Sequence, residues 1–337
     1  MRRLTALLAA LITATAILPL AAQTADAPLS AKTFSNFRED VDRSTEQTLK
    51  NADDILWHLK LGDVASIEKY EITSKPGRDE NPTGQGAGNP MIIPVYVFAP
   101  KTLHGKAPLL VFIHGGVHAD FDSGYSHIVK ELLDQGYVIV APEYRGSTGY
   151  GSDFYDQIDY GGRELDDVKA ARDWAVETLP NVDPKRVGIL GWSHGGYQTL
   201  LSIFRWPDAW QVAYAGVPVS DLVQRMGYKS QGYRNTFKGF MGKEAMDDPM
   251  EYRRRSPVNH VSELATPLLI HTNTNDEDVN VMEVEHLIEA LKAAGKKFEY
   301  KIYDNAPGGH RFNRIDTKLA HESRQEIYAF LARYLKP

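Results

Sequence analysis

The feature that most constrains this chain is the stretch 187–197, where a short apolar run leads into Gly-Trp-Ser-His-Gly. The run Val187–Leu190 follows turn residues and predicts a buried strand, and Tyr197–Phe204 predicts a helix. Residues 191–195 match G-x-S-x-G, a sharp strand-to-helix turn that raises a serine above the edge of a sheet. A glycine-rich turn that merely contains a serine is the alternative interpretation. The rest of the chain must therefore supply the serine's partners.

Strands and helices alternate from residue 108 onward, which predicts an α/β fold with a mostly parallel central sheet and helices on both faces. The predicted strands are Val64–Thr73, Met91–Phe98, Pro108–Ile113, Tyr137–Pro142, Val187–Leu190, Gln211–Val217, Thr266–His271 and Phe298–Tyr303. The predicted helices of this region are Tyr125–Gln135, Glu164–Thr178, Tyr197–Phe204, Glu283–Ala294 and Leu319–Tyr334.

Three segments make up the predicted organisation, and the third contains an insertion. Residues 1–25 are a signal peptide, 26–61 are a helical extension and 62–337 are one catalytic domain. Within that domain, residues of about 221–256 form a small helical insertion over the site. The extension carries spaced apolar residues and is expected to pack outside the core. These residues are Phe37, Val41, Leu49, Ile55, Leu56 and Leu59.

The N-terminus has the three parts of a secretory signal: Met1-Arg2-Arg3, the apolar run Leu4–Leu20, and small residues within Ala22–Ala27 for cleavage. A membrane anchor is the alternative, but the run is slightly short for a span. We therefore expect export, with no stable membrane insertion after cleavage. The chain has no cysteine. An exported protein without cysteine is expected in a bacterial periplasm, since many eukaryotic secreted proteins contain disulfides.

Composition excludes several functions. The formal net charge is −6, so the chain offers no general attraction for nucleic acid. Without cysteine, disulfides, thiolate chemistry and cysteine-based zinc sites are excluded. Apolar residues make up 42% of the chain, which is ample for a packed core.

A nucleophilic serine needs a histidine base and a carboxylate that orients it. In sheet-based hydrolases these partners follow in the order Ser, Asp, His, on loops after strands. Ser193, Asp276 and His310 fit this order, and Asp278 competes with Asp276. The acidic cluster could also be a solvated turn or the N-cap of the next helix. A calcium site at Asp276 and Asp278 would lack further oxygen ligands.

The oxyanion of a tetrahedral intermediate needs preset N–H donors. We predict the backbone N–H of His194 and one from the loop after Ile113, at Gly115 or Gly116. A plain tight turn is the alternative for that loop. Candidate substrate-pocket residues are His114, Trp192, Tyr197, Tyr228 and Tyr233. The tyrosines of the insertion could equally pack the insertion onto the body.

The motifs together resemble the catalytic domain of the prolyl oligopeptidase family, which includes dipeptidyl-peptidase and acylaminoacyl-peptidase relatives and has the α/β-hydrolase fold. The resemblance covers roughly residues 62–337. In that family the aspartate stands three residues before a valine, which favours Asp276. The matching segments are His114–Gly116, Ala141–Gly151, Gly191–Tyr197, Asp276–Val279 and Gly309-His310.

This chain departs from the family in three ways. The roughly 60 residues between the predicted signal peptide and position 90 are too few for the β-propeller of the larger peptidases, since one blade takes ~40–45 residues. His194 stands where the family often has Tyr or Phe, and the glutamate pair that would hold a substrate α-amine is not found. The resemblance therefore implies the catalytic machinery but leaves the substrate open.

The predicted function is a serine hydrolase that cleaves small peptide or ester substrates through an acyl-enzyme, without metal or organic cofactor. The resemblance favours a peptidase. A carboxylesterase and a non-catalytic binding module on the same fold are the alternatives.

Overall fold

The computed structural model of the chain describes residues 31–77 and 83–337. The chain divides into two compact units, residues 1–42 and 43–337. The predicted signal peptide, residues 1–25, lies outside the described residues and stays a prediction. Across the described part, every helix is too short or too polar to cross a membrane.

The second unit is built on one sheet. Its strands are β1 (Ala65–Pro76), β2 (Pro90–Pro100), β3 (Ala107–Ile113), β4 (Val138–Pro142), β5 (Val182–Trp192), β6 (Val212–Gly216), β7 (Leu268–Asn273) and β8 (Glu299–Tyr303). Within the described residues they form an eight-stranded sheet in the order β1-β2-β4-β3-β5-β6-β7-β8. The strands from β3 to β8 are parallel, and β1 and β2 add an antiparallel edge.

Ten α-helices lie within the described residues. They are α1 (Ala31–Leu61), α2 (Ser126–Leu133), α3 (Ser152–Tyr155), α4 (Glu164–Thr178), α5 (His194–Arg205), α6 (Leu222–Tyr228), α7 (Gln231–Met241), α8 (Pro249–Arg254), α9 (Val281–Ala293) and α10 (Lys318–Leu335). The helix Glu164–Thr178 has the bounds that the sequence predicts. The other helices predicted in 108–337 are present with ends that differ from the prediction by one to three residues, and α5 begins three residues earlier.

The two faces of the sheet carry two apolar clusters, as the two-residue period of a strand requires. Leu109 and Val111 of β3 pack with α4, α5 and α9 on one face. Leu110 and Phe112 pack with the end of α1, with α2 and with α10 on the other. Buried parallel strands covered by helices on both faces confirm the predicted α/β architecture.

Helix α1 differs from its prediction in how its end packs. Four of the spaced apolar residues, which lie in the second unit, are 43–76% exposed; they are Leu49, Ile55, Leu56 and Leu59. Trp57 and Leu61 are buried in the core instead, and Trp57 stacks on Phe121 with ring centroids 5.4 Å apart. The end of α1 is therefore part of the core rather than an addition outside it.

The carboxyl ends of the parallel strands meet at one edge of the sheet, because their registers align. Ile113 of β3 pairs with residue 191 of β5, Trp192 pairs with Gly216 of β6, and Asn273 of β7 pairs with Tyr303 of β8. Loops that follow these strands therefore converge, and all the predicted catalytic residues lie on them.

Candidate active site

Ser193 occupies the turn between β5 and α5 in a conformation that few residues other than glycine adopt. Its φ is 58° and its ψ is −120°, and such backbone costs on the order of 1–3 kcal/mol. A Cβ on Gly195 would lie 2.3 Å from the carbonyl oxygen of Ile113, and one on Gly191 would lie 2.4 Å from the backbone of Gly195. The two glycines are thus required for β3, β5 and α5 to pack this closely.

The environment of Ser193 favours negative charge. The first N–H groups of α5 have no carbonyl partner within the helix, and the positive end of the helix dipole lies at this terminus. Ser193 itself is 8% exposed. A side chain that is largely covered yet reaches solvent at a helix N-terminus is suited to stabilising a developing anion.

His310 and Asp276 form a close pair on the loops after β8 and β7. His310 Nδ1 lies 2.8 Å from Asp276 Oδ2 and 2.9 Å from Oδ1. The Asp276 side chain is fully buried, and its Oδ1 also accepts the backbone N–H groups of Asp278 at 2.9 Å and Val279 at 2.8 Å. These donors fix the carboxylate, so it can fix the imidazole ring.

Contacts within and between the loops fix the backbone of His310. Arg314 Nη2 donates to the His310 carbonyl at 2.6 Å, and Glu277 accepts the His310 backbone N–H at 2.9 Å. This N–H bond lowers the pKa of Glu277. A Cβ on Gly115 would lie 3.5 Å from Ser193 Cβ and 3.8 Å from Arg314 Nη1. The serine turn, the loop after β3 and the histidine loop therefore border one another.

The carbonyl groups of the loop after β3 are held by contacts with Tyr144 and His114. Gly116 has a φ of 79°, and its carbonyl accepts the Tyr144 hydroxyl. His114 Nδ1 lies 3.0 Å from the Gly115 carbonyl oxygen. The Gly115 N–H points at the Tyr125 hydroxyl across 3.4 Å, a long contact for a hydrogen bond. Tyr125 is a neighbour of this loop that the sequence pattern did not reveal.

Comparison with known proteins decides the family. Residues 123–337 match the prolyl oligopeptidase family, and this span is more than half of the chain. The chain belongs to the prolyl oligopeptidase family. The family membership predicted from the motifs is thereby confirmed.

Relatives within the prolyl oligopeptidase family are longer than this chain. The chain is 31% identical over 223 residues to a Bacillus subtilis protein described as uncharacterized peptidase YuxL, covering 65% of this chain and 33% of the relative. It is 29% identical to the acylamino-acid-releasing enzyme of Arabidopsis thaliana, covering 75% and 34% of the two chains. The chain thus spans about a third of the length of the curated relatives it matches.

Solved structures show the same fold. The uncomplexed acylaminoacyl peptidase of Pyrococcus horikoshii superposes with a TM-score of 0.68 at 22% identity, covering 82% of this chain and 43% of that chain. A dipeptidyl peptidase 4 of Porphyromonas gingivalis gives a TM-score of 0.64 at 23% identity, covering 81% and 36% of the two chains. The predicted α/β-hydrolase fold is confirmed.

Three residues predicted to line the pocket are buried supports of the site. Trp192 is 1% exposed and packs between Phe112 and Tyr214. Tyr197 is fully buried, and its hydroxyl donates to the Arg255 carbonyl at 2.8 Å. His114 is fully buried as well. All three side chains are therefore covered by their neighbours in the fold.

The other two predicted pocket residues, Tyr228 and Tyr233, belong to a charged cluster that the sequence pattern did not reveal. The Tyr228 hydroxyl donates to Glu283 at 2.7 Å, and the Tyr233 hydroxyl accepts from Arg225 Nε at 2.8 Å. Burial raises the pKa of Glu283, although the Arg225 guanidinium opposes the change. The insertion's composition indicated polar side chains, but Glu283, the partner of Tyr228, lies 55 residues away in the chain.

Asp278 links this cluster to His310. Its Oδ2 lies 3.8 Å from His310 Nε2, and its Oδ1 accepts from Lys229 at 2.5 Å and Arg225 at 3.1 Å. Burial acts to raise the pKa of Asp278, but these two cations outweigh it and hold that pKa below its usual value. Asp276 therefore contacts Nδ1 of His310, while Asp278 lies on the Nε2 side.

The side chain of His194 turns away from solvent. Its Nε2 lies 3.2 Å from Glu164 Oε1, and both residues are buried. Its ring packs against Tyr160, with centroids 4.6 Å apart, and Tyr197, with centroids 5.4 Å apart. A buried carboxylate thus accompanies the histidine at the position where the family often has Tyr or Phe. Among the described residues, no group of three or more His, Asp or Glu could hold a metal ion.

Proposed function

We propose that this protein is a serine peptidase that cleaves small peptide substrates through an acyl-enzyme. Ser193 attacks the carbonyl carbon, and His310 Nε2 takes the serine proton and delivers it to the leaving amine. Asp276 holds His310 with the proton on Nδ1. Water then releases the acyl group by the same route.

One observation carries the proposal. The buried Asp276 carboxylate binds His310 Nδ1 at 2.8 Å, at the sheet edge where Ser193 occupies a strained turn. This geometry leaves Nε2 as the ring nitrogen that can exchange a proton with substrate and nucleophile. The backbone N–H groups of His194 and Gly116 are the proposed oxyanion donors, because the loop and the elbow border each other and the Gly115 N–H points at the Tyr125 hydroxyl.

Family membership supports peptide bonds as the target. The relatives include proteins named for releasing acylamino acids and a dipeptidyl aminopeptidase. We therefore propose a short peptide with either a blocked or a free N-terminus as substrate. An acetyl-aminoacyl anilide, a dipeptidyl anilide and a p-nitrophenyl ester distinguish these classes and an esterase in one assay.

The test is Ser193→Ala. This variant should keep the wild-type melting temperature, fail to react with a fluorophosphonate probe and lose about 10⁶-fold in kcat, as removal of a nucleophilic serine does elsewhere. Ser262→Ala is the matched control, because Ser262 is exposed and its hydroxyl donates to the exposed Glu263 side chain at 3.0 Å. Wild-type turnover by Ser193→Ala on the substrate that the panel identifies would refute the proposal.

A further inference from the structure

Lys50 is a buried cation on helix α1. It is 3% exposed, and lysine is almost never buried unless it is paired. Its Nζ lies 2.7 Å from Asp120 Oδ2 and 2.9 Å from Glu143 Oε1, and it donates to the Phe121 carbonyl at 2.9 Å. Nothing in the proposed reaction uses this ammonium group directly.

Glu143, the residue after β4, forms the ion pair with Lys50. It is fully buried, and its carboxylate accepts the Phe121 N–H at 3.2 Å and the Tyr150 hydroxyl at 3.2 Å. Burial acts to raise the pKa of Glu143, but Lys50 and His114 outweigh it and lower that pKa to about 2. A buried carboxylate in this state depends on its neighbouring donors, and Lys50 is the closest cation.

His114 connects Glu143 to the loop after β3. Its Nε2 lies 3.3 Å from Glu143 Oε2 and 2.9 Å from Ser147 Oγ. Its ring stacks on Tyr144, with centroids 4.2 Å apart and planes 15° apart. The other ring nitrogen, Nδ1, contacts the Gly115 carbonyl oxygen. The ring is therefore fixed on one side by Glu143 and Ser147, and it meets the loop backbone on the other.

The orientation of this carbonyl matters for the loop's donors. In a planar trans peptide the C=O and N–H groups point in opposite directions. Holding the Gly115 carbonyl against His114 turns the N–H of Gly116 to the opposite side. Tyr144, which stacks on His114, also binds the Gly116 carbonyl. The direction in which the loop presents its N–H groups thus depends on where His114 sits.

We propose that Lys50 is a positioning residue for the oxyanion loop, acting through Glu143 and His114. The inference rests on the proposed function, since it assumes that residues 115–116 bind the oxyanion. Removing the ammonium leaves Glu143 buried with His114 as its nearest remaining basic group. The carboxylate and the imidazole then rearrange, and the loop loses its preset orientation. Helix α1 thereby contributes to catalysis without contacting substrate.

The test compares Lys50→Met with Lys60→Met. Lys60 lies on the same helix and donates to the Ser123 carbonyl at 2.7 Å and to the Ser123 hydroxyl at 3.0 Å. Each substitution removes an ammonium that ties α1 to the segment 120–123, but only Lys50 contacts Glu143. Lys50→Met should lower kcat about 10- to 100-fold with KM within threefold, because a misplaced donor weakens transition-state binding alone. Lys60→Met should keep wild-type kcat.

Transition-state affinity separates positioning from a loss of stability. A peptide boronic acid should bind Lys50→Met more weakly by the same factor as the loss in kcat, measured where circular dichroism shows the variant to be folded. Equal kinetics in the two variants, or wild-type kcat in folded Lys50→Met, would overturn the inference. If Ser193→Ala is inactive in the same assay, either of these outcomes would overturn the inference about Lys50 without contradicting the proposed function.

A second variant covers failure of Lys50→Met to fold. The double variant Lys50→Met/Glu143→Gln removes both charges of the fully buried pair, so no carboxylate at position 143 is left without its cation. A folded double variant with depressed kcat supports the inference, because His114 has lost its anchor. A folded double variant with wild-type kcat and boronate affinity overturns it.

Discussion

Asp276→Asn tests the proposed role of His310 most directly, because the structure determines how the new amide must point. Asp276 Oδ1 accepts two backbone N–H groups, from Asp278 and Val279. The asparagine oxygen must keep these bonds, since an NH₂ group there would face two donors. The NH₂ group therefore takes the place of Oδ2, 2.8 Å from His310 Nδ1.

This amide reverses the histidine tautomer. Nδ1 must now accept a hydrogen bond, so the ring proton moves to Nε2, the nitrogen that acts as the base in the proposed reaction. A base that already carries a proton on this nitrogen cannot take one from Ser193. The same change in other serine hydrolases lowers kcat about 10⁴-fold, which corresponds to about 5.5 kcal/mol of transition-state stabilisation. Stability should change little, because the side chain keeps its shape and its backbone bonds.

The assay is kcat and kcat/KM of Asp276→Asn on the substrate identified by the anilide and ester panel. Asp304→Asn is the matched control, because Asp304 is an exposed carboxylate in the loop after β8 that accepts the Thr274 hydroxyl at 2.9 Å. It should keep wild-type rates. A loss smaller than tenfold in Asp276→Asn, with the fold intact, would show that the carboxylate does not set the tautomer.

Two further predictions concern stability. Arg145→Met should lower the free energy of unfolding in urea by about 3–5 kcal/mol, because it leaves the buried Asp167 carboxylate without the guanidinium that binds it at 2.7 and 2.8 Å. Arg145→Met/Asp167→Leu should recover much of this loss. An unchanged free energy of unfolding in the single variant would contradict the reasoning. Burial lowers the pKa of His271 to about 3, whereas in the unfolded chain the pKa of histidine is about 6.5. Between about pH 6.5 and about pH 3 the unfolded chain therefore binds a proton at His271 that the folded protein does not bind. The free energy of unfolding consequently falls by up to about 1.4 kcal/mol per pH unit as the pH drops through this range. His271→Phe should therefore lose less stability than wild type between pH 6.5 and 5, and parallel losses in both proteins would refute this explanation.

The alternation of strands and helices was predictable because buried parallel strands appear as continuous apolar runs. The same patterns placed Asp276 and His310 after consecutive strands, and the pair forms as expected. Helix α1 shows where the approach fails. An apolar stripe indicates a buried face only when a partner surface exists, and here Trp57, Leu61 and Lys50 turn inward instead.

Long-range ion pairs account for the other unpredicted features. Lys50 and Glu143 are 93 positions apart, and Arg225 and Asp278 are 53 apart. A single charged residue in a sequence has many possible partners, and only the folded chain selects one. The supports of a catalytic site are therefore harder to predict than its reacting groups, whose order along the chain is constrained by the chemistry.

The position of β3 in the sheet has a consequence for the design of truncated versions of this protein. The family match begins at residue 123, yet β3 ends at Ile113 and lies between β4 and β5. A polypeptide cut at residue 123 would leave β4 and β5 without their shared neighbour, and it would discard Lys50 along with residues 114–116. An expression boundary should therefore fall no later than residue 43, because the family match is shorter than the compact unit of residues 43–337.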